Sequence, residues 1–557
     1  TLVPLLMWLC VRGNILPEQR NPINRLLIWV YRPIIAAVMR YKKLTLVFAL
    51  VMLAASWYPA SRLGGEFMPT LNEGTLLFMP QTLPGLSPTK AVELLQTQDR
   101  IIKGFPEVES VFGKAGRALT ATDPAPLEMS ETIVNLKPES DWRPGMTVDK
   151  LIAEMDQALQ IPGVSNAWTM PIKNRIDMLA TGIRTPIGIK LFGKDLAEME
   201  RLAQQIERAV KTVSGTTSAY AERITGGYYL NITPDLEALA RYGLLVGDVQ
   251  DLIATAIGGE TVSTMVEGRE RFAIIVRYPR ELRDNPQAIA SHILVPVPGG
   301  AVVPLGQLAK LSLDKGPPSI RTENALLSAY VYVDMRGRDI DSYVRDAKQA
   351  VQQAVKFPAG YYIVWSGQFE YMERAKERLK LVVPLTLCII FLLLYLNFGR
   401  LTETLIVMLS VPFALIGGVW LLWFLDYNVS VAVGVGFIAL AGVAAETGVV
   451  MLIYLDQAFQ EKQRQCLEEG RDFTEIDLYS ALMTGAAERL RPKIMTVTAI
   501  MAGLLPILWS SGTGSEVMRR IAAPMVGGMV SSTLLTLVVI PALYALCKQY
   551  SIDKQSQ

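Results

Sequence analysis

The sequence is poor in the side chains that most often bind metal ions or form disulfides. Its 557 residues include one histidine and four cysteines. His292 cannot build a multi-histidine site alone, and we interpret it as structural in the strand-like segment HILVPV. No cysteine lies in the polar region 61–380, so this region has no disulfide framework of its own. The four cysteines are Cys10, Cys388, Cys466 and Cys547.

An excess of charge of one sign is also missing. The 54 basic and 52 acidic residues leave a formal net charge of +2, which excludes the overall basic field of a nucleic-acid-binding protein. No glycine-rich P-loop pattern occurs, so the chain gives no sign of nucleotide hydrolysis. Nothing in it indicates covalent catalysis, and we expect a transporter rather than an enzyme.

Long apolar runs are present instead. The chain is 51% hydrophobic, and its apolar residues collect in six runs that approach or exceed the length needed to cross a bilayer. The runs are 44–60, 381–398, 404–425, 429–455, 494–509 and 521–547. They predict an integral membrane protein with one large polar domain between the first two spans.

Basic residues in the short loops predict the orientation. Residues 11–43 carry seven Lys/Arg and one acidic residue, which indicates a cytoplasmic segment and puts 61–380 outside. On this count Arg519 and Arg520 fall on the outer side, against the positive-inside rule that basic residues concentrate in cytoplasmic loops. The chain opens TLVPLLMWLC without an initiator Met. We therefore expect 1–43 to be the stump of an earlier helix and a cytoplasmic linker, within a fragment of a longer protein.

The polar region repeats one unit four times, a β-rich run followed by an amphipathic helix and a second β-rich run. The four units begin with GTLLFMPQ, ETIVNLKP, TPIGIKLFG and ALLSAYVYVDMRG, and the second unit ends with a β-rich run at 164–171. Helices are predicted near 87–104, 147–159, 195–213 and 339–355. In the third helix, apolar residues recur at spacings of three and four, at Leu196, Met199, Leu202, Ile206 and Val210. Two such units make a split βαβ, ferredoxin-like domain. We predict one domain at 66–180, a second at 181–226 and 320–377, and an inserted segment at 227–319. The fold class is an α+β membrane protein.

One carboxylate lies inside an apolar run. Glu446 is the only charged residue between Val429 and Leu455. A central acidic residue costs roughly 2.5–3.5 kcal/mol on membrane-insertion scales. We expect this carboxylate to be buried, where it either locks helices together or takes part in a proton relay.

Methionine is the remaining type of metal ligand, and 22 are present. Most lie in apolar runs, where they fill space. Met79, Met129 and Met178 lie outside those runs, but their spacing alone does not single them out.

The chain resembles the second half of a resistance-nodulation-division (RND) efflux pump, in the copper/silver (Cus/Sil-type) members of the heavy-metal branch. The resemblance covers essentially the whole chain. It is carried by EGTLLFMPQTLPG, TATDPAPLEM, MPIKNRIDMLATGI, SGQFE, VPFALIGG, FIALAGVAAETGVVMLIYL, RLRPKIMTVTAIMAGLLPI and GTGSEVMRRIAAPMVGG.

The resemblance implies a site for Cu(I) or Ag(I). Its motifs give Met79 in LLFMP, Met129 in APLEM and Met178 in RIDM as ligands of the transported ion, with no cofactor. Thioether sulfur is soft and neutral, which suits these ions rather than Zn(II) or Co(II). Met518, in SEVMRR, matches a methionine proposed to pass ions along, and a packing role for it stays open.

The resemblance also implies a proton relay and an assembly. The GVAAE motif gives Glu446, and RPKIMTV gives Lys493 as its partner, although Lys493 could instead reach the cytoplasmic interface. We expect proton-driven export from the bacterial inner membrane by a homotrimer with a periplasmic adaptor and an outer-membrane channel. In that assembly 66–377 is periplasmic, with two porter subdomains and a docking subdomain at 227–319. Residues 44–62 and 378–547 form a six-helix half-bundle, and 548–557 form a cytoplasmic tail.

Two other interpretations stay open. An RND pump for organic compounds would need an aromatic-lined pocket and would not need the three methionines. A metal-binding scaffold or sensor would leave Glu446 purely structural. Because these pumps also use an acidic residue from a first half that this chain lacks, we expect the chain alone to be inactive.

Overall fold

The computed structural model describes residues 22–69, 71–116, 126–510 and 512–555. In chain order, the helices α1 to α17 are Pro22–Arg40, Lys42–Ala55, Trp57–Ala60, Pro88–Lys103, Val148–Ala158, Pro171–Thr181, Leu196–Lys211, Leu236–Tyr242, Val246–Ile253, Pro286–His292, Ile340–Ala354, Gln368–Phe398, Leu401–Phe424, Val431–Glu468, Glu475–Leu508, Ser515–Leu534 and Ile540–Gln555. The strands β1 to β17 are Thr75–Phe78, Gln81–Thr82, Val108–Ala115, Ser130–Leu136, Val164–Ser165, Trp168–Thr169, Ile187–Gly193, Thr216–Ala221, Gly227–Pro234, Glu260–Glu267, Glu270–Val276, Leu294–Pro296, Val302–Pro304, Ala309–Gly316, Thr322–Glu323, Leu326–Met335 and Tyr362–Gly367.

The first sheet has the antiparallel order β3-β4-β1-β6. This is the strand order of the split βαβ arrangement. Leu77 in its central strand lies opposite Ile133 on one side and Thr169 on the other. The opposite face of β1 supplies Leu76 and Phe78 to a core shared with α4 and α5. The period of two along the strand therefore divides its side chains between the core and a second surface.

The second sheet repeats this order with β8-β16-β7-β17, and β15 adds to it beside β16. Helix α7 begins at the cap Asp195, whose carboxylate accepts from Glu198 N at 2.8 Å. Its apolar face is buried as the spacing predicts, and the buried residues include Met199, Leu202, Ile206 and Val210. Leu196 is partly buried against the same core.

An inserted region separates β8 from β16. Strands β9 and β14 form a ribbon that runs from Gly227 opposite Gly316 to Pro234 opposite Ala309. Beyond it, α8 to α10 and the β12-β13 pair surround a small apolar core of their own, and the hairpin β10-β11 contributes no residue to that core. Every residue of the hairpin strands is exposed.

Six helical segments are long and apolar enough to cross a membrane, in agreement with the six apolar runs. They are Lys42–Ala60, Gln368–Phe398, Leu401–Phe424, Val431–Glu468, Glu475–Leu508 and Ser515–Tyr550. Two of them begin well before their apolar runs, because polar turns at Gln368 and Glu475 extend the helices beyond the apolar part. A π-helical turn at Leu535–Val539 joins α16 to α17.

Helix α1 was not predicted from the sequence, which suggested only a helix stump and a linker for residues 1–43. Tyr31, Ile35 and Val38 on α1 are buried in the cluster that contains the membrane helices. The Tyr31 hydroxyl donates to Leu537 O at 2.6 Å. Spacings of three and four make this an amphipathic helix, which the charge count alone did not reveal. The expected stump lies in 1–21, outside the described residues.

The two arginines that conflicted with the charge rule have partners. Arg520 forms an ion pair with Glu66, with 2.9 Å between Nε and Oε1, and its guanidinium lies 4.7 Å from the ring centroid of Tyr427. Arg519 donates to the carbonyl oxygen of Ser510. Pairing with Glu66 neutralises Arg520, so it is not a free positive charge at this end of the helices.

Candidate functional site

The structure brings Met79, Met129 and Met178 together. Met79 and Met129 are buried with Leu77 in one small apolar cluster, and the partly buried Met178 and Ile133 pack against it. The β1 side chain in this cluster is Leu77, which faces away from the main core of the domain, and the other members pack around it. Among the described residues, the sulfur groups of this cluster are these three thioethers.

Strand ends and one helix position the three methionines. Met79 directly follows β1, and its N–H donates to Ala167 O at 2.9 Å. Met129 directly precedes β4 and forms an isolated antiparallel bridge with Gln81. Met178 lies near the end of α6, whose last turn closes with Gly182 N donating to Met178 O at 2.9 Å.

Helix α6 has clear start and stop signals, although the sequence analysis assigns no helix there. Pro171 occupies its first turn, and Gly182 ends it in the left-handed conformation at φ 74°. Glu73, from the loop before β1, accepts from the N–H groups of Ile172 and Lys173 at 2.9 Å each. A carboxylate at this end also complements the helix dipole. These contacts hold the Met178 helix against the first sheet.

Two polar side chains donate to the thioether sulfurs. The Asn174 amide donates to Met178 Sδ at 3.1 Å. The Arg184 guanidinium donates through Nη1 to Met129 Sδ and through Nη2 to Gln81 Oε1, the latter at 2.6 Å. Arg184 also lies over the Tyr332 ring, with 4.3 Å between Cζ and the ring centroid. Sequence reasoning missed these donors, because no local pattern marks them.

The fourth candidate methionine lies elsewhere. Met518 is in the first turn of α16, and its side chain is exposed. It is not among the residues of the Met79 cluster. The structure therefore groups three of the four predicted methionines and leaves the fourth beside Arg519 and Arg520.

A cavity of about 430 Å³ lies between the two sheet domains and the adjoining ends of the membrane helices. Its lining includes Met170, Asp334, Met335 and, from α16, Glu516. Burial raises the pKa of Asp334 to about 6, against the opposing effects of Arg336 and a hydrogen bond from Met335 N–H. The cavity is lined mainly by charged and thioether groups rather than by aromatic rings.

The two proposed relay residues lie on neighbouring membrane helices. Helix α14 carries Glu446 and packs against α15, which carries Lys493. Lys493 is 1% exposed, and its Nζ has no hydrogen-bond partner among the described residues. This burial disagrees with the alternative in which Lys493 reaches the interface.

Glu446 itself is exposed on the surface of this chain. The expectation that it is buried is wrong for the chain alone. Small neighbours such as Ala444 and Gly448 are buried against other helices, whereas the carboxylate projects from a different face of α14.

Other kinds of metal site are absent from the described part of the chain, where no group of three or more His, Cys, Asp or Glu side chains could hold an ion. His292 ends α10, and its Nδ1 lies 3.2 Å from Ala288 O and 3.1 Å from Ser291 Oγ. These contacts agree with its structural interpretation. It does not lie in a strand, because β12 starts two residues later.

The sequence profile of the AcrB/AcrD/AcrF family matches residues 1–548. The chain belongs to this family. The match confirms the resemblance to RND efflux pumps that the sequence motifs indicate.

Individual members of the AcrB/AcrD/AcrF family confirm the Cus/Sil-type resemblance. The chain is 51% identical to SilA of Salmonella typhimurium and 50% identical to the cation efflux system protein CusA of Escherichia coli (strain K12), each over 98% of this chain and 52% of the relative. It is 36% identical to the cobalt-zinc-cadmium resistance protein CzcA of Cupriavidus metallidurans, over 100% of this chain and 52% of that protein. The chain thus spans about half the length of the curated relatives it matches.

A solved structure of a heavy metal efflux pump also has the fold of this chain. The crystal structure of a heavy metal efflux pump, crystal form II, superposes with a TM-score of 0.84 at 30% identity. The superposition covers 94% of this chain and 52% of that pump. The AcrB-family fold therefore extends over both the sheet domains and the membrane helices.

Proposed function

We propose that this AcrB-family chain forms the metal-binding part of a proton-driven exporter of Cu(I) and Ag(I). The observation that carries the proposal is the packing of Met79, Met129 and Met178 in one buried cluster. Three thioethers offer soft, neutral ligands that protons do not compete for at physiological pH. Such a set favours monovalent soft ions over zinc or cobalt, which prefer imidazole, carboxylate or thiolate ligands.

The ligand chemistry also suits transport. A thioether binds a metal without losing a proton, so affinity need not depend steeply on pH, in contrast to thiolate sites. Neutral ligands hold the ion less tightly than thiolates do, which allows its release. The greater identity to SilA and CusA than to CzcA supports the same choice of ion.

Export requires a source of energy. We assign it to an inward flow of protons in which Glu446 takes up and releases each proton. A carboxylate at membrane depth is expensive unless it is covered or serves transport. In the assembled pump, we propose, further helices cover the exposed face of α14, since the relatives are about twice as long as this chain. Lys493 is the charged partner whose interaction with Glu446 changes as the carboxylate gains and loses a proton.

The remaining parts of the proposal concern location and assembly. We place the spans in a bacterial inner membrane and the sheet domains at 66–377 in the periplasm, with 227–319 directed towards an outer-membrane channel and a periplasmic adaptor bound alongside. The exposed hairpin β10-β11 supports self-association into a trimer, because none of the residues that the structure describes covers its apolar side chains. These side chains include Val262, Met265, Phe272, Ile274 and Ile275.

Silver binding to the purified 557-residue chain tests the proposal. Titration calorimetry compares the wild type with Met79→Leu, Met129→Leu and Met178→Leu. Met155→Leu is the matched control, because Met155 is fully buried in the main core of the same sheet domain but is not in the cluster. We expect each of the three variants to weaken Ag(I) binding at least tenfold and the control to retain it.

The two alternatives predict other results. Efflux of organic compounds predicts that none of the three substitutions matters, and the charged lining of the 430 Å³ cavity gives it little support. A scaffold or sensor predicts silver binding without any metal-linked proton movement. Silver affinity unchanged in all three variants would overturn the metal site.

A further inference from the structure

The contact between Arg184 and Met129 has a consequence for the proposed metal site. A guanidinium group donates to one of the three sulfur atoms that would bind the ion. Arg184 is 8% exposed, so this charge lies in the protein interior. It follows α6 by only a few residues and comes from the segment that leads into β7, whereas Met79 and Met129 flank strands of the first sheet.

The charge of Arg184 is not neutralised by a carboxylate among the residues that the structure describes. Its contacts there are Met129 Sδ, Gln81 Oε1 and the face of the Tyr332 ring, all of them uncharged groups. Its Nε–H has no hydrogen-bond partner in the same part of the chain. A buried cation with incomplete partners is expensive, which indicates a role other than stabilising the fold.

We propose that Arg184 sets the affinity and the release rate of the three-methionine site. This inference rests on the proposed function. Without an ion, the guanidinium occupies a lone pair of Met129. A monovalent cation that binds the three sulfurs meets a positive charge at the same place, so the guanidinium must withdraw towards Gln81 and Tyr332.

Electrostatics gives the direction of the effect. Two positive charges in a medium of low dielectric constant repel each other, and the repulsion doubles for a divalent ion. Arg184 therefore weakens binding, speeds release and favours monovalent over divalent ions. Return of the guanidinium to Met129 replaces the departing ion and satisfies the sulfur again.

A charge series at position 184 tests the proposal on the full 557-residue chain. Arg184→Lys keeps the charge, Arg184→Gln removes it and Arg184→Glu reverses it. The measurements are the Ag(I) dissociation constant and the rate at which a competing chelator removes Ag(I). The control is Arg208→Gln, at an exposed arginine of α7 whose Nε donates to Gln204 O at 3.3 Å.

We expect Arg184→Gln to bind Ag(I) about tenfold more tightly and to release it correspondingly more slowly, from the size of a screened charge–charge term. Arg184→Glu should be tighter still, while Arg184→Lys and Arg208→Gln should match the wild type. Thermal unfolding of the same variants separates this electrostatic role from a purely structural one. If Arg184 only stabilised the fold, Arg184→Gln and Arg184→Glu would both lower the melting temperature and both weaken Ag(I) binding.

The outcomes also separate this inference from the proposed function. If Met129→Leu lowers silver affinity but the charge series leaves it unchanged, the role of Arg184 is overturned and the metal site stands. If neither the wild type nor Arg184→Gln binds Ag(I), both are overturned. Binding that appears only in Arg184→Gln supports both.

Discussion

Gly417 and Gly527 bring two membrane helices into backbone contact. A Cβ atom on Gly417 would lie 2.0 Å from Gly527 O, and one on Gly527 would lie 2.3 Å from Gly417 O. Helix α14 meets α16 in the same way, since a Cβ on Gly436 would lie 2.4 Å from Ile521 O. Small residues at such crossings allow the close packing that holds helices together in lipid. The contact at Gly436 fixes α14, the helix that carries Glu446, against α16.

Gly527→Ala should therefore destabilise the membrane half. We expect a loss of about 1–3 kcal/mol, because the new methyl group overlaps backbone that cannot move aside. Gly503→Ala is the control, since nothing lies within 4 Å of a Cβ there. In a helix, that substitution alone is neutral or slightly stabilising. Thermal unfolding in detergent measures both, and equal melting temperatures would contradict the packing argument.

Lys493→Met should make the protein more stable and less active. The ammonium is buried without a hydrogen-bond partner among the described residues, so an apolar side chain of similar length removes a cost. We expect the melting temperature to rise by about 2–5 °C. Lys380→Met, at an exposed position of α12, should not produce this rise. A lower melting temperature for Lys493→Met would show that Lys493 stabilises the bundle.

Much of the sheet domains could be predicted from sequence because local signals and burial agree there. The spacing predicts a helix near 87–104, and the structure has Pro88–Lys103 behind the cap Ser87. The sequence also predicts one β-rich run at 164–171, and the structure has β5 and β6 there, which pair with β2 and β1 in one continuous register. Between the two pairs the Met79 N–H donates to Ala167 O, and the side chain of Asn166 donates to Leu159 O at 3.2 Å.

The candidate site was less accessible to sequence reasoning. The family motifs gave the three methionines, but their convergence depends on how β1, β4 and α6 pack. The contact of Arg184 with Met129 could not be predicted from any local sequence pattern, because the two residues are 55 positions apart in the chain. The exposure of Glu446 could not be predicted either, since a helix run that is apolar on all sides does not reveal which face other helices cover.

Asp334→Asn should stabilise the protein in a pH-dependent way. Burial raises the pKa of Asp334 in the folded state to about 6, from 3.8 for a free aspartate side chain. Between these two pKa values the folded state binds more protons than the unfolded state. The free energy of unfolding therefore falls as the pH rises through this range, and above about pH 6 Asp334 destabilises the fold by the full amount. We expect a gain of about 1–3 kcal/mol at pH 7.5 and little at pH 4. A gain that is equal at both pH values would contradict the assignment.

Glu446→Gln should separate metal binding from transport. The cluster of three methionines lies outside the membrane spans, so silver affinity should stay within about twofold of the wild type, well under the tenfold that 1.4 kcal/mol represents. Proton-driven silver uptake by everted membrane vesicles that contain the assembled pump should be lost. Glu446→Asp, which keeps a carboxylate, should retain part of it. Wild-type transport that does not respond to a proton gradient would favour the scaffold interpretation.

X-ray absorption of the Cu(I)-loaded chain tests the central claim most directly, because it reports the atoms bound to the ion. The account predicts three sulfur neighbours and no nitrogen or oxygen neighbour in the wild type, with sulfur neighbours lost in Met79→Leu, Met129→Leu and Met178→Leu but not in Met155→Leu. A first shell of nitrogen or oxygen, or a sulfur shell unchanged in those three variants, would contradict it.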